Sequence, residues 1–224
     1  MVQKMVAVKI LNTMFKDRID AGIQLAERML AYINKDVVVL AIPRGGLPLG
    51  AIIAKKLNAP LDVALTKKIG HPYNREYAIG ALSLENSILS DAVGVTKGYI
   101  DEEISKLRKK LKKRHNQYYI NKEPQKLEDR TVIIVDDGIA TGNTILVTVD
   151  LVKMQNPKKI VVAIPVAPPS TVHKLEAYPG VDEVICLETP YNFHAVGQFY
   201  EEFYQVSDKE AINLFEGSYD IKQT

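Results

Sequence analysis

The feature that most limits what this chain can fold into is the run Thr131-Val132-Ile133-Ile134-Val135-Asp136-Asp137-Gly138-Ile139-Ala140-Thr141-Gly142-Asn143-Thr144. Val132 to Val135 are four β-branched residues without a polar break, the pattern of a parallel strand covered on both faces. Two carboxylates, Asp136 and Asp137, stand at its C-terminal end, followed by a short spacer of small and hydroxylated residues. Ile145, Leu146, Val149, Leu151 and Val152 then recur at roughly helical spacing, which predicts a helix from about residue 142. Backbone N–H groups and the dipole at such a helix start hold a phosphate. The neighbouring carboxylates accept hydrogen bonds from vicinal ribose hydroxyls. A sugar phosphate is therefore the natural ligand for this stretch. A Walker loop is excluded because no Gly-Lys-Ser/Thr ending is present, and a dinucleotide fingerprint because Gly-x-Gly-x-x-Gly is absent.

The remaining pattern is a βα repeat. An amphipathic helix is expected over 15–32, with Ile19, Ile23, Ala26, Met29 and Leu30 on its apolar face. Strands are expected over 36–42, 61–65, 132–135, 159–166 and 181–187, and helices over 47–57, 100–119, 145–154 and 170–178. A short antiparallel pair is expected over 80–84 and 87–89. The alternation predicts an α/β fold with a doubly wound, mainly parallel sheet. Ligands of such sheets bind beyond the carboxyl ends of the strands, where the acidic pair falls. Pro43-Arg44-Gly45-Gly46 closes the first strand in the same way, with glycines that admit close approach and an arginine fork suited to phosphate. Residues 70–77 read as a polar, aperiodic loop carrying His71, Arg75 and Glu76.

Composition adds mainly exclusions. The 224 residues suit one large domain that needs no staples, with 99–126 as a helical insertion and 188–224 as a C-terminal hood or tail. A net charge of +2 argues against an obligate nucleic-acid or membrane binder, although a homo-oligomer stays open. The single cysteine, Cys186, lies in an apolar run and reads as a core thiol. The opening residues 1–11 carry no signal-peptide pattern and no run is long enough for a bilayer, so a cytoplasmic protein is expected. Lys106, Arg108, Lys109, Lys110, Lys112, Lys113 and Arg114 line the inserted helix opposite its stripe Ile100, Ile104, Leu107 and Leu111. That helix reads as a solvated surface element, with RNA binding as the competing reading.

Four apolar residues, two acids, a spacer and Thr141-Gly142-Asn143-Thr144 resemble the phosphoribosyl diphosphate (PRPP) motif of the type I phosphoribosyltransferases. The resemblance covers about 36–167 and implies transfer of a 5-phosphoribosyl group from PRPP to a nitrogenous acceptor, with Mg²⁺ as cofactor. It places the 5′-phosphate on Ala140, Thr141, Gly142, Asn143 and Thr144, with Gly138 among the PRPP-binding residues. Asp136 and Asp137 would take the ribose hydroxyls, directly or through Mg²⁺-bound water. Arg44, Gly45 and Gly46 become the pyrophosphate loop, where a cis peptide is expected near Arg44. Residues 67–82 become the mobile catalytic loop, with Lys67 or Lys68 at the diphosphate and Lys68, Arg75 and Glu76 as catalytic candidates. Tyr191, Phe193 and His194 are candidates for the acceptor pocket, because they offer rings for stacking and polar edges. Hypoxanthine-guanine members place an acid before Thr-Gly, whereas this chain has Ala140, which disfavours a 6-oxopurine acceptor. A non-catalytic PRPP or nucleotide sensor, or an RNA-binding regulator on the same fold, is the alternative.

Overall fold

The computed structural model describes residues 14–90, 92–120 and 122–217 and, for Glu76, the backbone alone. The residues at 1–11 read for a targeting signal lie outside these. In chain order the elements are α1 (Arg18–Glu27), β1 (Val37–Ala41), α2 (Gly46–Leu57), β2 (Leu61–Val63), β3 (Lys67–His71), β4 (Asn74–Leu82), β5 (Ser87–Leu89), α3 (Lys97–Tyr118), β6 (Thr131–Val135), α4 (Asn143–Lys153), β7 (Lys159–Val166), α5 (Pro169–Glu176), β8 (Glu183–Glu188) and α6 (Asp208–Gly217). Five strands form a parallel sheet in the order β2-β1-β6-β7-β8, and β3-β4-β5 form a separate antiparallel sheet. The predicted α/β fold with a mainly parallel sheet is what the chain adopts.

Strand pleating sorts the core into two layers. Val37, Val39 and Ala41 of β1 join Ile133 and Val135 of β6 beneath α1 and α2. Val38 and Leu40 join Val132, Ile134 and the buried side of α4 on the other face. This double burial is why the strands read as unbroken apolar runs. The register pairs Val37 with Thr131 and Ala41 with Val135, so both strands end level. The loops that follow them emerge side by side, and Ile42 N–H donates to the Val135 carbonyl at 2.8 Å.

The apolar stripe assigned to α1 is corrected. Ile19 and Ile23 are exposed, and the helix buries Arg18, Ala21, Gly22, Leu25 and Ala26 instead. The cause is a close helix contact: a Cβ on Gly22 would lie 3.0 Å from Ile52 Cδ1 and 3.1 Å from Leu49 Cα. Small residues face α2, and the bulkier isoleucines turn outward. Asp17 caps α1 by accepting from the Asp20 N–H at 2.8 Å.

The polar stretch 70–77 is also corrected, from an irregular loop to the facing ends of a β-hairpin. Lys67 pairs with Leu82 and His71 with Asn74, with register shifts around Gly70. Both faces of the tip are polar, so no apolar alternation marked it. The inner end is apolar, and Ile69, Ile79 and Leu82 pack against Ile100 and Leu111 of α3. The stripe on α3 therefore covers the hairpin. Its C-terminal end is tied to the sheet edge, because the buried Asp62 carboxylate accepts from the Tyr119 hydroxyl, the Gln125 N–H at 2.7 Å and the Val63 N–H at 2.8 Å. Phe199, Tyr200 and Phe215 from the C-terminal segment return to the layer beneath α1 and α2. Among the described residues no helix is long and apolar enough to cross a membrane.

Candidate functional site

The site is built where β1 and β6 end together. The Pro43–Arg44 peptide is cis, at the place the family resemblance implied. Gly45 and Gly46 start α2 with no side-chain cap on the helix. A Cβ on Gly46 would stand 2.5 Å from the Val135 carbonyl oxygen, and one on Gly45 would stand 2.1 Å from Asp137 Oδ2. Only glycine lets this loop lie against the acidic pair.

The two carboxylates have different surroundings. Asp136 Oδ1 accepts from the Asp137 N–H at 2.9 Å. Burial, and then the charge of Asp137, push the Asp136 carboxyl well above the usual range. Asp137 Oδ2 accepts from Arg18 Nε at 2.8 Å, with both side chains largely shielded. Arg18 is held in turn: its Nη1 donates to the Tyr204 carbonyl at 2.7 Å, and its guanidinium lies 3.9 Å from the Phe203 ring centre. The Tyr200 hydroxyl donates to the Asp137 carbonyl at 2.6 Å. The acid pair thus lies at the carboxyl end of β6 with one member fixed by Arg18 and the other beside it.

After the acids, Gly138 adopts φ +146° and Gly142 φ +75°, the latter immediately before α4. Among the described residues no side chain caps α4, a helix start of the kind whose first N–H groups can bind an anion. Ala140, Thr141, Asn143 and Thr144 are exposed around that opening. The α5 helix braces the loop: Thr171 Oγ1 donates to the Ala140 carbonyl at 2.7 Å, and Lys174 Nζ lies 3.3 Å from Asn143 Oδ1 and 3.5 Å from the Thr141 carbonyl. The loop is thus held from α5, with Lys174 at its rim.

The other candidates are placed unevenly. Arg44 turns toward Asp208 of α6, with Nη1 3.6 Å from Oδ1. Lys67 and Lys68 lie on β3 at the inner end of the hairpin, whereas Arg75 near its tip reaches Glu103 of α3 at 3.5 Å. The Glu76 side chain lies outside the described residues. Phe193 packs on Phe199, with centroids 5.0 Å apart, and so turns toward the core. Tyr191 and His194 are exposed on a turn that Gln198 ties together through the His194 and Ala195 N–H groups and the Asn192 carbonyl. Cys186, expected to be a core thiol, is half-buried at the margin of the layer around α4, and its partial burial raises the thiol to about 11. Arg18, Tyr200, Thr171 and Lys174 were not legible as site residues in the sequence. Among the described residues no group of three or more His, Cys, Asp and Glu gathers, so a divalent cation would rest on the acid pair and on ligand oxygens.

The phosphoribosyl transferase domain model matches residues 15–202, and the chain belongs to that family. A Mycobacterium tuberculosis (strain H37Rv) protein named "Putative phosphoribosyl transferase Rv0571c" is 39% identical over 204 residues, covering 89% of this chain. The match spans 46% of that relative's length, so the chain corresponds to about half of it. A 65-residue stretch is 40% identical to the uracil phosphoribosyltransferase of Mycoplasma genitalium, covering 29% of this chain and 32% of that enzyme. Among solved structures, TT1426 from Thermus thermophilus superposes with a TM-score of 0.83 at 34% identity, over 90% of this chain and 97% of that one.

Proposed function

We propose that the protein transfers the 5-phosphoribosyl group of PRPP to a nitrogenous acceptor, a nucleobase in the first instance, releasing diphosphate. The observation that carries this reading is the convergence of three parts at one sheet edge: an acid pair, an uncapped helix start, and a glycine loop touching the acids. The 5′-phosphate would sit on residues 138–144 with Lys174 beside it, and the ribose hydroxyls would donate to Asp136 and Asp137. Arg44, Lys67 and Lys68 would face the diphosphate. The C1–oxygen bond to diphosphate breaks as the acceptor nitrogen bonds C1 from the opposite face, and the acceptor's proton passes to solvent. Positive charge grows on the ribose during this step, so catalysis here is positioning and charge stabilisation. Mg²⁺ fits the donor set, since it binds through one or two carboxylates plus substrate oxygens, and it would neutralise the departing diphosphate.

Incubation with PRPP, Mg²⁺ and a panel of bases including uracil and adenine, read by mass spectrometry, tests the reading. A base-dependent nucleotide product is expected. PRPP binding without turnover would instead identify a sensor. Asp137→Asn should weaken PRPP binding at least about tenfold, the loss of a charged hydrogen-bond acceptor. Unchanged affinity by calorimetry would remove Asp137 from the site.

Asp136 adds a pH signature. Because its ionised form is disfavoured in the fold, its contribution to stability is fully present below the usual carboxylate range. That contribution is lost as pH rises through the raised value. A ligand that needs the ionised carboxylate must release a proton on binding below that value. PRPP titrations in buffers of different ionisation enthalpy should show this release in mildly acid solution, and Asp136→Asn should abolish it.

A further inference from the structure

We propose that Arg114 of α3 and Arg44 form one diphosphate clamp, and that Asp208 of α6 occupies this clamp as an internal anion until ligand displaces it. The identity of the displacing ligand rests on the PRPP reading above, while the clamp itself rests on geometry. One oxygen, Asp208 Oδ1, lies 2.8 Å from Arg114 Nη2 and 3.6 Å from Arg44 Nη1. It thus bridges guanidiniums from two elements that are distant in sequence. Arg44 belongs to the loop whose glycines touch the acid pair, so the clamp opens onto the same sheet edge.

The surroundings are those of an anion site rather than a satisfied ion pair. Lys67 of β3 is held below its usual range by burial and by the charges of Arg114 and Lys110. Two cations, Arg44 and Arg114, therefore meet at a single carboxylate, and the charge of Arg114 reaches Lys67 behind them. Asp208 is more than half exposed, so its pairs contribute little to stability and are readily exchanged. The Arg114 guanidinium is seated against the buried Tyr118 hydroxyl, which fixes it while its Nη2 stays turned to Asp208. Diphosphate offers several acceptor oxygens and more charge than one carboxylate, and arginine forks match its geometry. On this assignment the cations at the end of α3 serve a small anion, with RNA as the alternative occupant.

Calorimetric titration of inorganic diphosphate, and separately of PRPP with Mg²⁺, into the full chain and its variants decides the matter. Arg114→Gln should weaken diphosphate binding about tenfold, the loss of one charge-assisted contact. Asp208→Asn should tighten it severalfold, because the competing carboxylate is gone. Diphosphate affinity within twofold of the parent in Arg114→Gln overturns the clamp, and the absence of tightening in Asp208→Asn overturns the internal anion. If Asp137→Asn loses PRPP while Arg114→Gln does not, the clamp fails and the PRPP site stands. If diphosphate follows the expected pattern but PRPP does not bind, the clamp stands and the PRPP reading fails. Single-stranded RNA that competes with diphosphate at lower concentration than PRPP does would overturn the assignment in favour of RNA.

Discussion

Gly46→Ala is expected to lower the unfolding free energy by about 3 kcal/mol, the upper range for forcing extra volume into a packed site. The added Cβ would meet the Val135 carbonyl oxygen at 2.5 Å, Val135 C at 3.3 Å and Asp136 Cα at 3.1 Å. All three are backbone atoms of a central strand and its end, and no flexible side chain is available to yield. The loop itself must move, and with it the alignment of Arg44 and Gly45 with the acids. Gly45→Ala should separate function from stability. Its Cβ meets the Asp137 carboxylate, which can swing aside, but only by leaving Arg18. PRPP affinity should then fall more steeply than stability. Gly98→Ala is the control: nothing lies within 4 Å of its Cβ, and alanine should be neutral or raise stability by about 0.5 kcal/mol. Urea unfolding paired with calorimetry reads all three, and a parental midpoint for Gly46→Ala would contradict the close approach of the loops.

The part of the site that is continuous in sequence was legible, because its physics is local. A β-branched run, an acid pair and a small-residue spacer each announce their conformation within a few residues, and Pro43-Arg44-Gly45-Gly46 does the same for the second loop. Arg18 lies 119 residues from Asp137, and nothing in its helix marks it as a partner for an acid. Counting large apolar side chains made Ile19 and Ile23 the buried face of α1. The fold instead brings that helix close to α2 at Ala21 and Gly22, and this rotation points Arg18 inward. Thr171 and Lys174 reach the loop after β6 only because the strand order places α5 beside it. The hairpin was missed because its tip has no apolar face to show a period. The acceptor pocket was the least legible part, since stacking aromatics and core aromatics look alike in sequence, and Phe193 turns toward the core.

Arg18→Met should be the most damaging change outside the recognised motifs. The Arg18–Asp137 pair is shielded on both sides, with side-chain exposures of 10% and 14%. Removing one partner of a buried pair leaves the other charge uncompensated, which costs about 3 kcal/mol or more. Methionine keeps much of the apolar stem while removing the guanidinium that pairs with Asp137 and lies over Phe203, so the loss would come mainly from the charge rather than from a cavity. Arg18→Met/Asp137→Asn should recover stability relative to Arg18→Met alone, because no charge is then stranded. PRPP affinity should not recover in the double variant, because the ribose acceptor is gone. A cycle of urea unfolding, with PRPP titration at each corner, separates the two effects. Stability that recovers together with binding would mean that Asp137 is a structural partner of Arg18 and not a ligand for ribose.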